Sequence, residues 1–408
     1  MKFNTALLHS NFGGDIATGA TVTPVYQVSA FSHESPEKLE KVFNNKAPGF
    51  AYSRISNPTV DSFEKRIASL ENGIGAVACS SGMAAVTMSL LNILCTGDEI
   101  ITGSGLFGGT IDLFSDLRSF GITTRFAKCM CTEEVEPLIN EKTKAIFAEL
   151  IGNPALDIVD IESVAKLANR HNIPLIIDST TATPCLIHPI DYGADIVVHS
   201  SSKYINGSGN AISGIIVDSG NFKWDTTRYK MFSEYKNYGK FAYLARLRNG
   251  IWRNVGCCLA PMNAFLNTIG LETMGLRMER ICDNAFQLAQ FLDSFDGIKG
   301  NYPLLEGNPY SSLAQKYFNG RGGAIITIRT GSKDRAFRLM NNLKIPLIAT
   351  NIGDVRTLVI HPASTIYAHS SEEQKINAGV YEDTIRISVG IEDIEDLKED
   401  FKQAIDKL

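Results

Sequence analysis

The chain has 408 residues, with 39 lysines and arginines against 44 aspartates and glutamates, 44% hydrophobic and 20% charged. At about 150 residues per domain this length suits two or three domains, and the usage excludes a chain dominated by disorder or by collagen-like repeats. A formal charge of −5 mildly repels nucleic acid and anionic membrane, which turns attention to small-molecule partners.

The longest unbroken apolar run, Phe241 to Ala245, falls far short of the ~20 residues of a spanning helix. The start, Met1-Lys-Phe-Asn-Thr5, lacks the apolar stretch of a signal peptide and the Arg and Ser content of a transit peptide, so a cytoplasmic protein without a membrane partner is expected. Cysteines stand at 79, 95, 129, 131, 185, 257, 258 and 282 with no Cys-x-x-Cys pair, and the histidines are scattered. Reduced, mostly buried thiols and no metal site are expected.

In chain order, residues 1–50 show little periodicity and are expected as an N-terminal arm. Asn57-Pro58-Thr59 then opens a helix running to Asn72-Gly73, with Asn57 as the N-cap. From residue 73 to about 220, apolar runs alternate with helical patterns. Ala76–Cys79, Glu99–Thr102, Ala145–Ala148, Pro174–Ile177, Asp195–Val198 and Ile212–Val217 read as buried strands, and Met83–Leu94, Thr110–Phe120, Thr132–Asn140 and Glu162–Asn172 as helices between them. Continuous rather than alternating apolar strands predict an α/β fold, a mostly parallel sheet flanked by helices. A long helical pattern over Ala260–Phe295, strands at Ala324–Arg329 and Thr384–Val389, and a charged helix from about Glu392 predict a smaller α+β domain. The expected division is an arm over 1–50, an α/β domain over 51–255 and a C-terminal domain over 256–408.

Three patterns could carry chemistry. Gly103-Ser-Gly105-Leu-Phe-Gly108 matches G-x-G-x-x-G between a strand and a helix, the context of a dinucleotide site. Against this, it follows the second strand, and Arg125 and Lys128 stand where a ribose-binding acid is wanted. Phe222–Arg253 holds eight basic residues and nine aromatics, a pattern suited to nucleic acid, although a net-acidic chain makes an interface segment the ordinary reading.

The third pattern gathers at strand ends, where parallel sheets bind ligands. Strand Leu175–Ile177 ends in Asp178, strand Ile196–Val198 runs into His199-Ser-Ser-Ser-Lys203, and strand Ala76–Cys79 runs into Ser80-Ser-Gly82-Met83 at a helix start. The helix start at Gly82 and Met83 offers free N–H groups to a phosphate, with Ser200 and Ser202 to complete the cradle. Lys203, just past a buried strand, could become an amine nucleophile toward an aldehyde, and Asp178 could hold charge on a ring nitrogen. Phosphate, aldehyde and ring nitrogen are the three handles of pyridoxal 5'-phosphate. The residues by themselves leave this reading beside the other two.

The chain resembles the Cys/Met-metabolism family of pyridoxal-phosphate enzymes, fold type I, along nearly its whole length. The matching blocks are Thr18-Gly-Ala, Pro24-Val-Tyr-Gln27, Tyr52-Ser-Arg54 with Asn57-Pro-Thr59, Ser81-Gly-Met83, Gly97-Asp98, Glu149-Leu-Ile-Gly-Asn-Pro154, Pro174–Asp178, Gly193–Tyr204, Gly270-Leu-Glu-Thr273, His361-Pro-Ala-Ser364 and Ile385–Gly390. The resemblance implies that Lys203 carries the cofactor as a Schiff base and moves protons at the substrate, and that Asp178 pairs with the ring nitrogen. It further implies that Gly82, Met83, Ser200 and Ser202 bind the phosphate, with Tyr52 and Arg54 reaching that of a neighbouring subunit in a homo-oligomer, a dimer at least and usually a tetramer. Asn153 would meet the ring hydroxyl, and Arg386, assisted by Asn351, would grip the substrate α-carboxylate.

Within the family, Ala314-Gln-Lys-Tyr317 with Gly322-Gly-Ala324, Asn351-Ile-Gly-Asp354 and Leu358–Thr365 are similar to the O-acetylhomoserine sulfhydrylase branch. That branch replaces the γ-acetate of O-acetyl-homoserine by sulfide or a thiol; methionine or cystathionine γ-lyase and cystathionine γ-synthase are the rivals. The segment Leu106-Phe107-Gly108-Gly109-Thr110 has glycine where the methionine γ-lyase branch carries cysteine. It departs from the family at Phe107, where tyrosine is usual: Phe107 can stack on the cofactor but has no hydroxyl. Thr365-Ile-Tyr-Ala-His369 is a second departure, in the pocket for the γ-group.

Overall fold

The computed structural model describes residues 1–10, 14–15 and 18–408. Seven strands, β1 (Gly75–Cys79), β2 (Glu99–Gly103), β3 (Thr123–Ala127), β4 (Thr143–Glu149), β5 (Leu175–Asp178), β6 (Ile196–His199) and β7 (Gly214–Asp218), form one sheet in the order β1-β7-β6-β5-β4-β2-β3. β7 is antiparallel to both its neighbours, and the remaining pairs are parallel. Every residue of β2 and β7 is buried, as are all but one each of β1 and β5, because helices cover both faces. The six strands expected from sequence are all present. β3 was not among them: it lies at the sheet edge with only Ala127 buried, so it lacks the apolar run that marks its neighbours.

No element was expected before Asn57, yet helices α1 (Phe3–His9) and α2 (Pro36–Phe43) lie there. Leu7 sits in the main core, so α1 docks on the body of the molecule. Helix α3 (Pro58–Leu70) starts as expected, the Asn57 side chain accepting from Thr59 N–H at 3.0 Å, a cap worth about 1 kcal/mol.

A second sheet, in the order β10-β11-β12-β9-β8, joins β8 (Lys299–Asn301), β9 (Ile325–Arg329), β10 (Leu347–Ile348), β11 (Leu358–Ile360) and β12 (Thr384–Ser388). Arg386 lies on its central strand, paired across to Ile360 and Thr327. The long helical pattern expected over Ala260–Phe295 divides at Thr273 into helices Pro261–Glu272 and Met274–Asp293. Arg277 makes use of the break: its guanidinium donates to the carbonyls of Gly270 and Tyr204, both at 2.7 Å, tying this helix corner to the turn that carries Lys203.

The cysteine expectation needs one correction. Cys129 and Cys131 are joined as a disulfide rather than free, their Cα atoms 5.5 Å apart and within bridging reach, whereas Cys79 and Cys282 are buried thiols and Cys95 is exposed. No helix among the described residues is long and apolar enough to cross a membrane.

Candidate active site

Strands β1, β2, β4, β5 and β6 run in the same direction, so Cys79, Gly103, Glu149, Asp178 and His199 end on one edge of the sheet. A cavity of about 690 Å³ opens there, between this edge and the second sheet. Ten of the twelve residues nominated from sequence line it: Gly82, Met83, Phe107, Asn153, Asp178, Ser200, Ser202, Lys203, Asn351 and Arg386.

At the end of β1 the chain turns into helix α4 (Gly82–Leu91), where Ser81 is the N-cap and accepts from Ala84 N–H at 3.0 Å. The first amides of α4 have no acceptor within the helix and face the cavity, the ordinary site for a phosphate. A Cβ on Gly82 would stand 2.5 Å from that of Ser200, so only glycine lets the helix start approach the Ser200 loop. Ser202 lines the cavity too, and its hydroxyl donates to the Ser213 carbonyl at 2.9 Å and accepts from Ser213 N–H at 2.8 Å.

Asp178 is held from the next residue but one. Thr180 N–H donates to its Oδ1 at 2.9 Å, and the Thr180 hydroxyl in turn accepts from Ser200 N–H at 2.8 Å, linking the carboxylate to the phosphate side of the cavity. Burial pushes the Asp178 carboxyl up and the Thr180 donors pull it down, with the upward effect prevailing. A cationic ring nitrogen placed against it would reverse the balance.

Lys203 lies in the tight turn after β6, and its Nζ donates to Asn351 Oδ1 at 2.5 Å. Burial lowers the amine to about 8, helped by the nearby Arg386 cation, so a useful fraction is the free nucleophile near neutrality. Asn351 reaches it because Gly353, at φ +74°, lets its loop come within 2.6 Å of the Tyr204 amide, measured from where a Cβ would be.

Arg386 is 1% exposed, with Nη2 donating to the carbonyls of Thr350 (3.2 Å) and Asn351 (3.0 Å) and Nη1 to Asn153 Oδ1 (3.3 Å). Its Nε–H is buried without an acceptor, and burial lowers the guanidinium to about 10. An unpaired donor in a cation is a mark of an anion site, and here the arginine lines the cavity. The bare Gly82 cradle, the amine, the buried acid and this orphaned donor together fit pyridoxal phosphate with an amino-acid substrate.

Tyr52 and Arg54 stand outside the cavity. The Arg54 guanidinium donates to the Arg253 carbonyl at 2.7 Å and lies 5.5 Å from the centre of the Tyr52 ring. The two competing sequence patterns are absorbed into packing. Gly105 and Gly108 are backed by Asp157 and by the Ile366 carbonyl, so the glycine run is a loop that delivers Phe107 rather than a dinucleotide turn. Within Phe222–Arg253, Tyr229, Phe232, Tyr243 and Trp252 are buried, Trp224 stacks on Phe232 and Tyr243, and Arg248 pairs with Glu64.

Sequence reasoning assigned no role to Glu149, Thr180 or Tyr367. Glu149 ends β4 directly beside Asp178 and accepts from Phe107 N–H at 2.8 Å; Tyr367 places its hydroxyl 2.7 Å from the Leu106 carbonyl and 3.1 Å from that of Asn153. The signal for Glu149 was present, an acid closing a buried strand like Asp178. Tyr367 had none, because its partners lie 261 and 214 residues away.

A buried amine and acid at neighbouring strand ends, facing an open helix start, define a pyridoxal-phosphate enzyme of fold type I. The family model for the Cys/Met metabolism PLP-dependent enzymes matches residues 4–406. Homocysteine synthase of Schizosaccharomyces pombe is 39% identical over 420 residues, covering 99% of this chain and 98% of that protein. O-acetyl-L-homoserine sulfhydrylase 1 of Thermus thermophilus is 38% identical over 99% of this chain and 100% of its own length. Among solved structures, a putative O-acetylhomoserine (thiol)-lyase of Campylobacter jejuni, which carries a pyridoxyl-lysine phosphate, superposes with a TM-score of 0.95 at 36% identity over the whole of both chains. The chain belongs to the Cys/Met-metabolism family of pyridoxal-phosphate-dependent enzymes.

Proposed function

We propose that this enzyme catalyses γ-replacement on O-acetyl-L-homoserine: sulfide or a thiol bonds to Cγ, acetate leaves, and L-homocysteine or methionine is released. The observation that carries the reading is the juxtaposition of Lys203 and Arg386 across one cavity, an amine beside an anion grip, in a chain whose full-length relatives are named homocysteine synthase and O-acetyl-L-homoserine sulfhydrylase. When bound, pyridoxal phosphate supplies an electron sink for negative charge at the substrate carbon.

The chain's residues do the rest. Lys203 would anchor the cofactor and carry protons at the substrate Cα and Cβ; its lowered basicity suits it to both directions. Asp178 holds the positive charge on the ring nitrogen. The α4 start with Ser200 and Ser202 takes the phosphate, Asn153 the ring hydroxyl, and Phe107 stacks on the ring. Arg386, with Asn351 beside it, fixes the α-carboxylate by a planar two-pronged contact. Acetate is a good leaving group, so the missing hydroxyl at Phe107 costs this reaction less than it would a thiolate-releasing one.

Tyr52 and Arg54, outside their own chain's cavity, are assigned to the phosphate of a neighbouring subunit in a homodimer or homotetramer, and the enzyme to the cytoplasm. No nucleic acid or membrane partner is assigned. The division into an arm over 1–50, a cofactor domain over 51–255 and a C-terminal domain over 256–408 is retained as part of this reading.

The test is a steady-state comparison of O-acetyl-homoserine, O-succinyl-homoserine, cystathionine and methionine, each with and without sulfide. Homocysteine and acetate from the first, only with sulfide, is the expected result. Efficient release of 2-oxobutanoate from methionine alone would make the enzyme a γ-lyase.

A further inference from the structure

Two carboxyl groups end adjacent parallel strands at the floor of the cavity, Glu149 on β4 and Asp178 on β5, in direct register. Like charges this close in a buried place do not both ionise at modest cost. Their surroundings differ. Asp178 has two donors from Thr180, its amide at 2.9 Å and its hydroxyl, and His199 is close enough to favour its charge. Glu149 accepts from the Phe107 amide at 2.8 Å and from the Thr110 hydroxyl at 3.4 Å, and the charges of Asp178 and Asp157 both disfavour its own.

We propose that Glu149 is a positioning residue, a neutral carboxylic acid that holds the Phe107 amide and lies against Asp178, so that the stacking ring and the ring-nitrogen partner are set by one group. The inference rests on reading this cavity as the cofactor site. Burial, with the Asp178 charge second, pushes the Glu149 carboxyl well above the usual carboxylate range. The amide it holds belongs to the residue before helix α5 (Gly108–Asp116), which has no side-chain cap of its own, so Glu149 fixes where the loop stops and the helix begins. Phe107 is further confined by Gly109, where a Cβ would come within 2.7 Å of its ring. The Tyr367 hydroxyl donates to the preceding carbonyl, that of Leu106, at 2.7 Å. The ring therefore has little freedom as long as Glu149 stays in place.

The experiment compares wild type, Glu149→Gln and Glu149→Ala after loading with pyridoxal phosphate. It reads the visible circular dichroism of the bound cofactor, the pH midpoint of its absorption band, and kcat and KM. Glutamine keeps the acceptor and the neutral charge, so its dichroism and pH midpoint should match wild type and its kcat should stay within about 3-fold. Alanine frees the Phe107 loop: the dichroism should fall by about half or more, and kcat by about 10-fold or more, with KM for the amino acid nearly unchanged. If glutamine loses as much as alanine, or shifts the pH midpoint, Glu149 acts as an anion and the proposal fails; unchanged dichroism in both variants refutes it as well. Should the alanine protein not fold, Glu149→Met, which keeps the volume but offers the Phe107 amide no comparable acceptor, takes its place with the same expected losses. A wild-type protein that takes up no cofactor would instead remove the site reading itself.

Discussion

Lys203 and Asn351 are 148 residues apart in the chain, one in the turn after β6 and one in the loop between β10 and β11, yet the amine donates to the amide oxygen at 2.5 Å. The contact makes the nucleophile's position depend on how the two sheets pack. It also leaves the amine facing a neutral acceptor, and a neutral partner cannot hold the proton as a carboxylate would.

The sign of the pH effect on cofactor capture follows. Lys203 is lowered to about 8, so its reactive neutral form grows about tenfold per pH unit below that value and saturates above it. Binding of pyridoxal phosphate to the apoenzyme, followed by stopped-flow absorbance, should accelerate from pH 6 to 8 and then level off. Asn351→Asp should move that plateau upward by about one unit or more, since a carboxylate stabilises the ammonium form. An unmoved profile would mean that Asn351 does not face the amine.

Arg386→Lys should raise KM for the amino-acid substrate by about 10- to 100-fold with a smaller effect on kcat. Three of the arginine's five N–H groups go to Thr350, Asn351 and Asn153, leaving two for a carboxylate, the buried Nε–H among them. A lysine ammonium cannot supply the same fork, a loss on the order of 1–3 kcal/mol. Unchanged KM would exclude Arg386 from substrate binding.

Phe107→Tyr restores a hydroxyl on a ring that lines the cavity. Its expected effect is selective, a changed ratio of kcat/KM between O-acetyl-homoserine and substrates with poorer leaving groups such as cystathionine, by about 10-fold. Equal kinetics on every substrate would show the position to be neutral.

Far from the site, Asp195 and Asp218 lie at the opposite end of β6 and β7, each pushed up to about 7, Asp195 by burial and Asp218 by burial and then by Asp195. Their folded-state values exceed the unfolded one of 3.8, so the native chain holds more protons than the unfolded chain between these limits. The stability they contribute is complete below pH 3.8 and is lost as pH rises through 7. Replacing both by asparagine should flatten this part of the stability curve, raising the melting temperature at pH 8 relative to pH 5 by several degrees, on the order of a few kcal/mol for the pair. Thermal melts of both proteins across pH 5 to 8 would show whether the difference is there.

The sequence carried most of the fold because the signals were local. Continuous apolar runs marked the buried strands of the large sheet, and Asn57-Pro58 marked a helix start. Apart from α2, whose Ser35-Pro36 start was as readable as Asn57-Pro58, what it failed to mark had no local signature. β3 is exposed and polar, β8 and β11 are three residues long, and α1 is fixed by Leu7 reaching a core built from elsewhere.

For the site, residues that end strands could be named from sequence, because a parallel sheet places all such ends on one edge: Asp178, Lys203 and the Gly82 helix start follow from that rule. By itself the sequence determined which groups were available, an amine, an acid, an anion cradle and an arginine. Only the tertiary structure decided which partner each meets: Asn351 for the amine, Thr180 and Glu149 around the acid, Asn153 for the arginine. The Lys203–Asn351 and Arg386–Asn153 contacts join residues brought together by the docking of two separate sheets, whereas Glu149 meets Asp178 across neighbouring strands of one sheet; the energies of all depend on burial that no local pattern encodes.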